Sequence, residues 1–220
     1  MHSGKDRGNG ASGIFVSFEG IDGSGKSTQA RALADTLRRA GHEIVLTREP
    51  GGADGAEAIR RLLVEGDPDR WSPETEILLF NAARRDHLER TIQPALDAGR
   101  IVISDRFADS TRVYQGAARA NLRPLVDQLH ALVIGLEPDL TFLIDMDPGD
   151  ALARGLARHS GEDRFEDLGL DFQQRLRAGF LELAAAEPDR MRVIDGARPM
   201  AEVSAEIAVQ MQRWLAARAA

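Results

Sequence analysis

Gly20-Ile21-Asp22-Gly23-Ser24-Gly25-Lys26-Ser27 follows the apolar run Ile14 to Phe18 and leads, through Thr28, into a stretch with helical spacing. Two glycines with four residues between them, then Lys and Ser, make the phosphate-binding loop pattern, and strand before, helix after is the context it requires. The glycines let backbone N–H groups turn inward around phosphates, Lys26 reaches the β- and γ-phosphates, and the Ser27 hydroxyl can ligate magnesium. Lys26 is one of two lysines in the chain, beside 26 arginines, so a lysine is kept where arginine is otherwise preferred.

Outward from the loop, short apolar runs recur at Ile14 to Phe18, Glu43 to Thr47, Ile101 to Ser104, Leu140 to Ile144 and Met191 to Ile194. They read as five buried parallel strands. Between them, Ser27 to Arg39 and Pro73 to Leu96 have helical periodicity, and Met200, Val203, Ile207, Met211 and Trp214 place an apolar face on a last helix. Ser72-Pro73 and Asp147-Pro148 each set a capping side chain before a first-turn proline and mark helix starts. The expected fold is α/β: a three-layer P-loop NTPase fold, a five-stranded parallel sheet with helices on both faces and ligands at the carboxyl ends of its strands.

The 220 residues suit one domain, expected over 13–220 behind a disordered tail at 1–12. A net charge of −7 argues against a non-specific nucleic-acid binder. The absence of cysteine excludes disulfides and thiolate metal sites, and no apolar run approaches the ~20 residues of a membrane span. A cytoplasmic location is expected.

No Asn is followed by Lys, so the guanine-reading element of a GTPase is missing, and no apolar strand ends in Asp-Glu as in a motor or transport ATPase. Ser104-Asp105-Arg106 instead ends a strand on an acid for magnesium or its waters and an arginine for an acceptor phosphate. That combination points to a small phosphotransferase. A nucleoside kinase, a kinase for another nucleoside monophosphate and a non-catalytic nucleotide-binding regulator are the alternatives.

Phe18 to Thr28, Thr47-Arg48-Glu49-Pro50-Gly51-Gly52, Leu79-Phe80-Asn81-Ala82-Ala83-Arg84, and Asp105-Arg106-Phe107 with Ser110-Thr111 and Tyr114-Gln115-Gly116 resemble, in order, the signatures of thymidylate kinases. The resemblance runs from about Ile14 to the last helix. It implies transfer of the γ-phosphate of ATP to dTMP, with magnesium, by a protein that is typically a homodimer. It implies that Arg48 and Arg106 grip the dTMP phosphate, that Phe80 stacks on thymine, and that Arg84, Thr111 and Gln115 address the base edge. Tyr114 resembles the tyrosine beneath the sugar that disfavours a 2′-hydroxyl. Asp22 matches an acid near the acceptor phosphate or its magnesium; its structural alternative is helix capping. Ser27 and Asp105 are the expected metal contacts.

Ala151 to Phe165 reads as a helix, a polar break at His159 to Asp163 and a second helix, a hinged lid over about 151–165. No arginine lies between Gly20 and Gly25, and the chain resembles the subgroup that brings basic lid residues to the transferring phosphate, here Arg158 and Arg164. Arg154 is expected near adenine, as is the backbone around Asp195 to Arg198.

Overall fold

The computed structural model describes residues 13–66, 70–119, 122–156 and 169–219. Five strands, β1 (Ile14–Glu19), β2 (Ile44–Arg48), β3 (Ile101–Asp105), β4 (Leu140–Asp145) and β5 (Met191–Asp195), form a wholly parallel sheet in the order β2-β3-β1-β4-β5. All five expected strands are present. Each runs one residue past its apolar run and ends on a charged side chain: Glu19, Arg48, Asp105, Asp145 or Asp195. Two of these residues, Arg48 and Asp105, stand on the wall of the main cleft.

The described helices are α1 (Lys26–Arg39), α2 (Asp54–Val64), α3 (Pro73–His87), α4 (Gln93–Asp97), α5 (Ala108–Thr111), α6 (Arg123–Leu129), α7 (Pro148–Leu156), α8 (Gly169–Ala186) and α9 (Met200–Ala219). The expected Pro73-to-Leu96 helix is α3 and α4 joined by a π-helical turn, Leu88–Ile92. Two more π-helical segments, Arg112–Arg119 after α5 and His130–Ile134 after α6, had no counterpart in the sequence reading. Ser72 caps α3 by accepting from the Thr75 N–H at 3.2 Å, and Asp147 accepts from the Gly149 N–H at 2.8 Å at the start of α7. Both proline-marked starts are therefore real.

Alternation along the strands splits the core into two layers. Val16, Phe18, Ile103, Phe142 and Ile144 meet Leu33 and Leu37 of α1 and Val203, Ile207 and Met211 of α9. On the other face Phe15 and Val102 pack on Leu88, Ile92, Leu96 and Phe107, while Leu143 packs on Phe172, Leu176 and Phe180 of α8. Met200, expected on the apolar face of the last helix, is 63% exposed, because it stands in the first turn, ahead of the packed stripe.

The second face also buries charge. Asp109 in α5 accepts from Arg112 Nη1 at 2.8 Å and from Arg190 at 2.6 and 2.9 Å, Arg112 pairs with Glu137, and Arg190 reaches Thr141 at 3.2 Å. Thr141 in turn shares a 2.8 Å hydrogen bond with Ser17. This network ties α5 to the start of β5 and the middle of the sheet.

Candidate active site

The loop after β1 wraps the N-terminus of α1. Gly23 has φ 83°, and a Cβ there would lie 1.9 Å from the Ala151 carbonyl oxygen, so the close approach of α7 admits only glycine. Lys26 is buried and donates to the Ile21 carbonyl at 2.7 Å. Burial, then the neighbouring Arg106 charge, lowers its pKa to about 8. Gly25 is the N-cap of α1 and no side chain caps it, so the capping alternative for Asp22 does not hold. Asp22 instead takes an ion pair from Arg106 Nη2 and a 2.8 Å hydrogen bond from the Tyr114 hydroxyl. Burial alone would raise its pKa, but Arg106 and then Lys26 outweigh that and hold it at about 2.

Arg106 has φ 70°, a left-handed conformation that costs a non-glycine residue about 1 kcal/mol or more. Its surroundings over-determine it. Its N–H donates to the Phe18 carbonyl at 2.9 Å, its own carbonyl accepts from Ser104 at 2.7 Å, and Nη1 donates to Gly20 O at 3.1 Å and Ser110 at 2.9 Å. Below it, Glu19 accepts from the Phe107 N–H at 2.8 Å and the Ser110 hydroxyl at 2.6 Å. Burial, then the Asp109 charge, pushes the Glu19 carboxyl up to about 7.

The acceptor side is built on α3. Arg84 is buried and donates Nε to Glu49 at 2.7 Å and Nη2 to Thr111 at 2.9 Å and Phe107 O at 3.3 Å. Glu49 also meets His87 Nδ1 at 3.0 Å, and His87 Nε2 lies 2.7 Å from the Thr47 hydroxyl. Phe80, one turn before Arg84, is half-buried and lines the cleft, which separates it from the fully enclosed core phenylalanines. Arg48 is 54% exposed on its side chain and lies 3.3 Å from Glu57, which also accepts from the Gly52 N–H at 3.0 Å.

One continuous cleft is lined by Asp22, Gly23, Gly25, Lys26 and Ser27 from the loop and by Arg48, Phe80, Arg84, Asp105, Arg106, Thr111, Tyr114 and Gln115 from the acceptor side. Gly20 and Ile21 are not on its wall, but their carbonyls hold Arg106 and Lys26. A second hollow carries Gly23, Ser24, Thr28, Arg154, Gly196, Ala197 and Arg198, with Arg154 Nη1 3.5 Å from Gly196 O. Arg158, Arg164, most of the expected lid and the tail at 1–12 lie outside the described residues.

A magnesium ion fits the donor set. Asp105 Oδ1 is buried with no hydrogen-bond partner among the described residues, and Ser27 stands on the same cleft wall. Among the described residues no group of three or more acidic or histidine side chains makes an all-protein metal cage. That agrees with an ion that takes its remaining ligands from phosphates and water.

The sequence reading missed Glu19, Glu57, Glu76 and His87 and gave Glu49 no role. Glu57, Glu76 and His87 lie in no pattern that announces chemistry, whereas Glu19 and Glu49 stand inside the signature stretches Phe18 to Thr28 and Thr47 to Gly52.

A family model described as thymidylate kinase matches residues 18–207. A thymidylate kinase of Dinoroseobacter shibae is 74% identical over 195 residues, which are 89% of this chain and 94% of that one. One of Caulobacter vibrioides is 54% identical over 91% of this chain and 97% of its own length. The crystal structure of thymidylate kinase from Ehrlichia chaffeensis superposes with a TM-score of 0.74 at 38% identity, covering 91% of this chain and 99% of that one.

Proposed function

The chain belongs to the thymidylate kinase family, and on that premise we propose that it moves the γ-phosphate of ATP onto dTMP, giving dTDP and ADP. The observation that carries this reading is the single cleft shared by the phosphate loop and the acceptor residues, which brings donor and acceptor phosphates together without a connecting channel.

Both reacting groups are phosphates, so the acceptor oxygen is already anionic and no general base is needed; positioning and charge neutralisation are. In this reading Lys26 leaves the Ile21 carbonyl for the β- and γ-phosphates, where the added negative charge lifts its pKa back above neutrality. Magnesium, held by Ser27 and Asp105, supplies further positive charge when bound. Arg106 and Arg48 hold the dTMP phosphate. Arg106 is preorganised by its fixed backbone, and Asp22 keeps the guanidinium aimed into the cleft while Tyr114 braces both. Phe80 stacks on the base, and Arg84, Thr111 and Gln115 read its edge. Arg154 and the hollow beside Gly196 to Arg198 take the adenine, and Arg158 and Arg164 close over the transferring phosphate. The protein acts in the cytoplasm as a homodimer, the habit of the family.

The test is ADP release with ATP and magnesium across dTMP, dUMP, dCMP and thymidine. dTMP should turn over fastest and thymidine, which lacks the phosphate for Arg48 and Arg106, should not react. Faster turnover of thymidine would make the chain a nucleoside kinase and overturn the assignment.

A further inference from the structure

Glu76, Phe80 and Arg84 follow one another at four-residue spacing in α3, so they form one stripe running along the acceptor pocket. Phe80 and Arg84 line the cleft; Glu76 does not, and it is fully buried at 0% exposure. It faces Gln115, 1% exposed on the π-helical segment Arg112–Arg119, whose Nε2 lies 3.4 Å from Glu76 Oε2.

We propose that Glu76 is a positioning residue for base selection, whose carboxylate fixes the Gln115 amide so that its carbonyl Oε1 faces the acceptor base. The proposal rests on the dTMP reading above. A carboxylate only accepts hydrogen bonds, so the NH₂ end of the amide must turn towards it. At 3.4 Å the contact is long, and its weight is directional: turning the amide over would set Oε1 against a buried carboxylate, which is repulsive. Oε1 then remains for the cleft and has no partner among the described residues.

Arg84 completes the pattern. Its Nε and Nη2 are committed to Glu49, Thr111 and Phe107, while Nη1 has no partner among the described residues. The pocket thus offers an acceptor from Gln115 and a donor from Arg84. Thymine presents the complement, an imide N3–H beside the C4 carbonyl. Cytosine presents the reverse, and both contacts become unfavourable.

The test is kcat/KM for dTMP and for 5-methyl-dCMP, which differ only at the C4 substituent and the N3 proton, in wild type and Glu76→Gln. Glutamine at 76 can accept or donate and frees the Gln115 amide to flip. The dTMP preference should narrow by about tenfold or more, through lost dTMP and retained or gained 5-methyl-dCMP activity, with the ATP KM unchanged. In a Gln115→Ala background the same change should leave the ratio within about twofold, since the two residues act through one contact. If Glu76→Gln does not fold, Glu76→Asp withdraws the carboxylate while keeping its charge and should narrow the ratio likewise. Parallel loss on both substrates, an unchanged ratio, or an equal effect in the Gln115→Ala background overturns the proposal. A wild-type enzyme without preference for dTMP would overturn the base-reading assignment itself.

Discussion

Three titrating groups crowd the root of the phosphate loop, and their shifts place them in separate pH windows. Glu19 is raised from 4.5 to about 7, so between those values the folded chain holds a proton the unfolded chain has lost, and stability falls as pH rises. Lys26 is lowered from 10.5 to about 8, so in that higher window the unfolded chain binds more protons and stability rises with pH. Asp22, lowered from 3.8 to about 2, contributes stability above its unfolded value that is lost as pH falls through that range. The windows do not overlap, which allows one to be tested alone. Glu19→Gln keeps an acceptor for the Phe107 N–H and removes the charge. The melting temperature of the variant, minus that of wild type, should therefore grow from pH 5 to pH 8; a constant difference would show that Glu19 does not titrate there. Lys26→Ala should leave the fold intact and cut turnover by about a thousandfold or more, because it removes the fixed cation that accompanies the transferring phosphate. Near-normal turnover in a folded variant would show that the phosphates lie elsewhere.

At the scale of elements, α3 carries the acceptor-pocket residues Phe80 and Arg84 on one face, and its start is fixed by Ser72. Ser72→Ala should cost about 1 kcal/mol by leaving the Thr75 N–H without its partner, and should raise the dTMP KM more than the ATP KM. Chemical denaturation and steady-state kinetics read the two effects; equal shifts in both KM values would show that α3 serves the whole cleft. The elements were largely legible because patterns of period 2 and 3.6 report burial, and β1, β3 and β4 are buried along nearly their whole length. Apolar patterning does not report the charged residue that closes each strand, although two of those residues, Arg48 and Asp105, stand on the cleft wall. The π-helical segments were illegible for another reason: an extra residue per turn is imposed by packing and leaves no compositional mark. One of them, Arg112–Arg119, sets Tyr114 and Gln115 on the cleft, so residue types there were readable while their exact partners, Asp22 and Glu76, were not.

Across the whole molecule, buried charge does what the apolar layers do not. Asp109, Arg112, Arg190 and Glu137 join α5, which supports the Arg106 turn, to the distant start of β5. In the sequence they look like ordinary surface charges, because pairing over 81 positions leaves no local signature. Asp109→Ala takes the shared buried acid from two arginines that keep other partners, Glu137 and Asp127 for Arg112 and Glu187 for Arg190, and should destabilise the fold by about 1–3 kcal/mol, visible as a lower denaturation midpoint; a loss below about 0.5 kcal/mol would mark the network as dispensable.

The strand order also shapes how the chain is made. β1 is the first strand to leave the ribosome, yet its neighbours are β3, from Ile101, and β4, from Leu140. At about 5–20 residues per second, roughly 6 to 25 s of synthesis separate Val16 from its partner Leu140. Until β3 is made the apolar residues of the future central strand have no partner strand, and until β4 follows they are paired on one side only, so apolar surface stays exposed through much of translation.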